Sequence, residues 1–213
     1  MRSYQYFAVR ALSDRVARIE WDGRDRLGGY IWHTTGSGKT MTSFKSAYLI
    51  ATSKDADKVI FLMDRIELGT QSLEQYNNFA DTDDFVQATE NTHALISKLK
   101  STDPNEVLIV SSIQKMSNIR DEEGGINAHD LAQIQNKRIV IIVDEAHRST
   151  MGANLVSNHT DGAPKSAKSE GMLITIKQTF PKAVFFGFTG TPIQEENEKN
   201  MDTTATVFGD ELH

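Results

Sequence analysis

The sequence predicts an α/β domain, a largely parallel β-sheet with helices on both faces. Three observations carry that expectation. Short apolar runs at 58–63, 107–110, 139–143 and 183–188 alternate with segments of helical period, and parallel strands need such crossovers. A glycine-rich turn, His33-Thr34-Thr35-Gly36-Ser37-Gly38-Lys39-Thr40, follows a strand-like segment and opens a helix. Finally, Asp144-Glu145 directly follows Ile139-Val140-Ile141-Ile142-Val143, an unbroken β-branched run that reads as a strand buried on both faces.

The elements are expected in this order. Phe7, Val9, Leu12, Val16 and Ile19 recur at near-helical spacing, which predicts a helix over 3–20. Tyr30-Ile31-Trp32 forms a strand running into the glycine turn, and a helix follows from Lys39 to about Ala51. Lys58 to Met63 is the next strand, followed by a helix through Glu67, Leu68, Leu73 and Tyr76. Asn91 or Thr92 caps a helix through Leu95, Ile96 and Leu99. Val107 to Val110 is a strand with a helix after Ser112, and Asp121-Glu122-Glu123-Gly124-Gly125 reads as a loop. Leu131 and Ile134 mark a short helix before the strand that ends at Asp144. Residues 157–168, rich in Ser, Asn, Gly and Lys, are expected to be a loop. Met172 to Phe180 then reads as a helix and Ala183 to Phe188 as the last strong strand. The segment 194–213 is polar, without a strong apolar period, and is expected to be a tail.

A length of 213 residues suits one large domain or two small ones, and 38% hydrophobic with 24% charged residues is the balance of a soluble globular chain. The absence of cysteine excludes a disulfide framework and a thiolate metal site, and it fits a reducing cytoplasm. No apolar run reaches membrane-spanning length and Met1-Arg2-Ser3-Tyr4 is no signal peptide, so a cytoplasmic protein without a membrane partner is expected. A formal charge of −6 means that nucleic acid would have to be gripped by a local basic patch.

The glycine turn carries the clearest chemistry. Thr35, Gly36, Ser37 and Gly38 let bare backbone N–H groups close around a polyphosphate; Lys39 reaches the outer phosphates and Thr40 offers a hydroxyl to Mg²⁺. Asp144 and Glu145 fall at a strand's C-terminal end, where a parallel sheet presents its ligands. One carboxylate, Asp144, can hold the metal directly or through water, while Glu145 orients and deprotonates the attacking water. Together these motifs predict that the chain binds ATP with Mg²⁺. His147, two residues past the proposed base, is assigned a coupling role rather than a metal-ligand role. Thr189-Gly190-Thr191-Pro192 is either an ordinary Gly-Pro turn or a relay between nucleotide state and a bound partner. The Gln5 amide offers the donor and acceptor that match the adenine edge, and equally suits a solvated surface position. Arg65 and the segment Ser111-Ser112-Ile113-Gln114-Lys115 leave strand ends with donors of the kind that contact a nucleic-acid backbone, Ser112 equally fitting a helix N-cap.

Taken in order, these segments resemble the first RecA-like P-loop NTPase domain of superfamily-2 helicases and translocases. Tyr4-Gln5 matches the adenine-reading motif, the loop ending Gly38-Lys39-Thr40 motif I, Val59 to Gln71 motif Ia, Asp144 to His147 motif II, and Thr189 to Pro192 motif III. His33 stands where the strict loop pattern has glycine, a loss common in helicase-type ATPases. His33 to Thr40, Met63-Asp64-Arg65 with Leu68 and Gln71, Ser112 to Lys115, Asp144-Glu145-Ala146-His147-Arg148-Ser149, Phe186 to Ile193 and Thr203 to Asp210 are most similar to the motor subunit of type I restriction enzymes.

That resemblance implies ATP hydrolysis driving double-stranded DNA translocation, beside modification (methyltransferase) and specificity subunits. It also implies a nuclease domain, a second RecA-like domain with an arginine finger and a methyltransferase-docking domain outside 1–213, with 194–213 leading to the second RecA-like domain. No Pro-Asp…Glu-x-Lys constellation is present, so cleavage would belong elsewhere. A DEAH-type helicase or remodeller domain, and a non-catalytic nucleotide-binding module, stand as alternatives.

Overall fold

The computed structural model describes residues 2–23, 28–34, 36–63, 86–89, 91–120, 126–144, 146, 165–192 and 204–212. Within them the helices are α1 (Ser3–Ala17), α2 (Lys39–Ser53), α3 (Thr92–Lys100), α4 (Ile113–Ser117), α5 (Ala128–Gln135), α6 (Lys165–Thr179) and α7 (Thr204–Phe208). The strands are β1 (Gly29–Trp32), β2 (Lys58–Met63), β3 (Val86–Ala88), β4 (Leu108–Ser112), β5 (Ile139–Val143) and β6 (Val184–Thr189). They form one sheet in the order β1-β6-β5-β2-β4-β3, and every pairing among them is parallel.

Because side chains alternate along a strand, each apolar run feeds two cores. Val59 and Phe61 of β2, Val140 and Ile142 of β5, and Phe186 and Phe188 of β6 meet Leu12 of α1 with Phe44, Ala47 and Ile50 of α2. Ile60 and Leu62, Ile139 and Ile141, and Phe185 point the other way, onto Leu95 and Leu99 of α3, Ile134 of α5 and Ile176 of α6. A continuous β-branched run such as 139–143 is thus what a strand covered on both faces requires.

Parallel pairing brings all the strand C-termini to one edge of the sheet. Trp32 lies opposite Thr189 and Val143 opposite Gly187, and Asp144 N–H donates to Leu62 O at 3.0 Å just past the strand end. The functional loops therefore share that edge.

Several expectations are corrected. The first helix ends at Ala17 rather than residue 20, where Arg18 N–H donates to Arg15 O and Ile19 N–H to Val16 O. β4 runs to Ser112, two residues beyond the apolar run, because β2 continues its ladder through Leu62 and Met63. The short edge strand β3 was not anticipated. Residues 165–168, expected in a loop, begin α6, where Lys, Ala and Glu favour helix and Gly171 is tolerated inside it. The helix expected through Glu67 to Tyr76 and the loops at 121–125 and 157–164 lie outside the described residues.

The expected tail is also more than a tail over 204–212. α7 buries Thr204 and Phe208, and Asp210–Leu212 then runs along the outer side of β1. Tyr30 N–H donates to Asp210 O at 3.0 Å and Leu212 N–H to Tyr30 O at 2.9 Å. A side chain at Gly29 would stand 2.7 Å from Leu212 Cγ, so this close approach requires glycine.

Candidate functional site

The turn between β1 and α2 is built from backbone needs. His33 N–H donates to Thr189 O at 2.9 Å, carrying the β1–β6 ladder one step into the loop, and Ser37 N–H closes a turn on Thr34 O at 3.1 Å. Gly36 and Gly38 have φ of 81° and 80°, a left-handed backbone that side chains rarely adopt. Gly38 is the N-cap of α2; it supplies no capping side chain, and the first helical turn holds no acid. The helix N-terminus thus keeps unsatisfied N–H groups and a partial positive charge, the features an anion needs. Lys39 begins the helix and is buried, while Thr40 is exposed.

Across from this turn stands the end of β5. Thr40 Oγ1 donates to Asp144 Oδ2 at 3.2 Å, joining two motifs separated by 104 residues. Asp144 is only 6% exposed, so its carboxylate is held at the base of the loop rather than in solvent. A hydroxyl and a carboxylate facing each other are hard oxygen donors, suited to a small divalent cation whose remaining positions are taken by phosphate and water. Beside them, Thr189 is fully buried and its Oγ1 accepts from Thr191 N–H at 3.2 Å, which shapes the Thr189–Pro192 turn. Trp32 Nε1 donates to Gly190 O at 3.2 Å, so β1 holds the same turn by a side chain as well. Thr191 is exposed.

Gln5 packs against the glycine turn. It is 3% exposed; its Oε1 accepts from Arg2 N–H at 2.8 Å and its Nε2 donates to Ser37 O at 3.0 Å. A Cβ on Gly38 would stand 2.6 Å from that Nε2 and push the amide aside, while the left-handed backbone is what calls for glycine there. Gln5 was expected at an adenine edge; in this structure both ends of its amide are engaged within the chain.

The sequence gives Trp32 no role in this site, and Tyr4 and His33 only a place within its motifs. Tyr4 hydroxyl also donates to Ser37 O, at 2.7 Å, and its ring meets the His33 ring edge-on at 5.3 Å. His33 is buried, with Phe188 on another side, and burial followed by the charge of Lys39 holds its imidazole below the usual histidine range. His33 Nδ1 and Ser37 Oγ are buried without a hydrogen-bond partner, the two such side-chain atoms among the described residues. Both lie in the glycine turn. Arg2, Tyr4, Phe7, Trp32, His33 and Ser37 help to line an open cavity of about 750 Å³ beside it.

The expected nucleic-acid residues divide. Ser111 and Ser112 are fully buried, which corrects the expectation that their side chains meet a ligand. Thr89 Oγ1 donates to Ser111 Oγ at 2.9 Å, and Ser112 Oγ accepts from Lys115 N–H at 3.3 Å as the N-cap of α4. Lys115 Nζ donates to Thr89 O, while Gln114 is exposed. Thr35, Arg65, Glu145 and His147 lie outside the described residues. No described helix is long and apolar enough to cross a membrane.

Comparison with known proteins gives this geometry its family. The model of the SWI2/SNF2 ATPase family matches residues 4–213. The chain is 40% identical over 214 residues to the type I restriction enzyme SauMSSORF170P endonuclease subunit of Staphylococcus aureus (strain MSSA476), covering 100% of this chain and 20% of the relative. It is 36% identical over 156 residues to the C-terminal part of the putative type I restriction enzyme MpnIIP endonuclease subunit of Mycoplasma pneumoniae, covering 71% of this chain and 73% of that one. The chain thus spans about a fifth of the length of the staphylococcal relatives. Among solved structures it is similar in fold to the ATP-dependent Type ISP restriction-modification enzyme LlaBIII bound to DNA, with a TM-score of 0.57, 19% identity, and coverage of 99% of this chain and 14% of that one. The chain belongs to the SWI2/SNF2 ATPase family, with a RecA-like P-loop domain of the kind shared by type I restriction enzyme endonuclease subunits.

Proposed function

We propose that this domain binds Mg·ATP and hydrolyses it to drive double-stranded DNA translocation before cleavage, within a type I restriction–modification assembly. The observation that supports this most is the Thr40–Asp144 contact of 3.2 Å at the N-terminus of α2. It brings a phosphate-loop hydroxyl and a strand-end carboxylate together where helix N–H groups are unsatisfied. In this reading Lys39 holds the outer phosphates, and the backbone of Thr35, Gly36, Ser37 and Gly38 cradles the chain of phosphates. Thr40 and Asp144 hold Mg²⁺, which when bound neutralises phosphate charge. Glu145 orients the attacking water and takes its proton.

His147, Thr189 and Thr191 relay nucleotide state. The hydrogen bonds from His33 N–H and Trp32 Nε1 to Thr189 and Gly190 carbonyls favour this, since they tie the relay turn to the phosphate loop. Gln5 supports the loop from the adenine side. Duplex DNA meets Arg65, Gln114 and Lys115, with Ser111 and Ser112 shaping that surface from beneath. The nuclease centre, the second RecA-like domain and the contacts with modification and specificity subunits belong to parts of a longer, cytoplasmic protein.

Glu145→Gln in the full-length protein tests the assignment. It should keep ATP affinity and lower phosphate release by about 10²-fold, as loss of a general base does. Hydrolysis at the parental rate would move the water-activating role elsewhere. Stimulation of the parent by RNA as strongly as by duplex DNA would favour a DEAH-type helicase instead.

A further inference from the structure

We propose that Tyr4 is a positioning residue for the phosphate loop, acting through the carbonyl of Ser37. Its hydroxyl and Gln5 Nε2 donate to that one oxygen, at 2.7 and 3.0 Å, from 33 and 32 residues away. A peptide unit is planar and trans, so its C=O and the following N–H point in opposite directions. Two donors from α1 on Ser37 O therefore turn Gly38 N–H away from α1. Gly38 is the N-cap of α2, where N–H groups meet a bound polyphosphate. Flanking glycines leave this peptide with little steric resistance to rotation, so an external anchor is what fixes it. Gln5 is itself fixed, through Arg2 N–H and burial. Tyr4 is braced by the edge of His33 at 5.3 Å, and His33 is bonded to β6 through its backbone. The anchor thus runs from α1 to the loop and from the loop to the sheet.

This inference rests on the reading that the loop binds polyphosphate. A rival role exists for the same residue, because Tyr4 also lines the 750 Å³ cavity and could meet the base. The ligand separates the two. Calorimetric titration of the full-length protein and its Tyr4→Phe variant would use Mg·ATP, Mg·tripolyphosphate and adenosine in turn. The variant keeps the ring and loses one hydrogen bond, so both phosphate ligands should bind about three- to tenfold more weakly. Adenosine affinity and melting temperature should stay at the parental values. A loss confined to ATP and adenosine would overturn the proposal in favour of base contact, and unchanged tripolyphosphate affinity would overturn it outright. Failure of the parent to bind either phosphate ligand would instead sink the nucleotide reading on which the proposal rests.

Discussion

Replacing Lys58 with methionine isolates a cost that the fold carries far from its nucleotide loop. Lys58 opens β2 and is 1% exposed, with Nζ donating to the Glu106 carbonyl. Burial, and then the nearby charge of Lys137, push its ammonium down from 10.5 to about 8, against the pull of Glu106 and Asp103. A folded value below the unfolded one means that the charged form opposes folding. Below pH 8 both states hold the proton and the full penalty applies. Between about pH 8 and 10.5 the folded chain releases a proton that the unfolded chain keeps, so stability rises. A gap of that size is worth about 3 kcal/mol. Lys58→Met removes the titration and leaves the Glu106 carbonyl short of a donor, an offset that does not change with pH. Urea unfolding of both proteins from pH 7 to pH 10 measures the difference. The parent should gain on the variant by roughly 2–3 kcal/mol across that range, the upper figure being the full linkage. Parallel pH profiles would show that Lys58 keeps its ordinary affinity for the proton, and that its burial costs little.

The remaining outcomes concern the nucleotide site. Lys39→Ala should abolish or severely weaken Mg·ATP binding in titrations with a fluorescent ATP analogue, since it removes the fixed charge that meets the outer phosphates; unchanged affinity would place Lys39 outside the site. Thr189→Ala with Thr191→Ala in the full-length protein should leave much of the ATPase rate and impair translocation. The Thr189 hydroxyl shapes the turn that the loop strand holds through Gly190. A parallel fall in ATPase and translocation, read by phosphate release and triplex displacement, would remove the relay role.

Where the sequence speaks through local chemistry, it was legible. The run 139–143 had to be a doubly covered strand, and Asp144 had to emerge at its C-terminal end. Gly36 and Gly38 mark a turn ahead of a helix, and both take the left-handed backbone that glycine permits. What escaped depends on distant partners. Ser111 and Ser112 look like surface donors, and only the arrival of Thr89 and the start of α4 turn them into buried, satisfied groups. β3 is three residues long and exists because β4 offers a ladder. Gln5 shows an amide of fitting chemistry, but no local pattern could reveal that its partner is a carbonyl 32 residues on. In 204–212 the apolar groups Val207, Phe208 and Leu212 have no helical or strand period, yet each finds a place against the sheet or its cores.

The return of the chain along β1 has a colloidal consequence. An open parallel sheet ends in two rows of unpaired amide and carbonyl groups, and each is a template on which another molecule can grow. On one side the sheet ends, among the described residues, in β3, which has only three residues. On the other, Asp210–Leu212 occupies the outward groups of Tyr30, and Asp210 and Glu211 set negative charge along the seam. A stranger approaching β1 edge-on finds both backbone groups of Tyr30 already taken, and like charge on any second copy. Three residues that carry no catalytic assignment thereby form a selvedge at that position, a short border on a strongly apolar sheet.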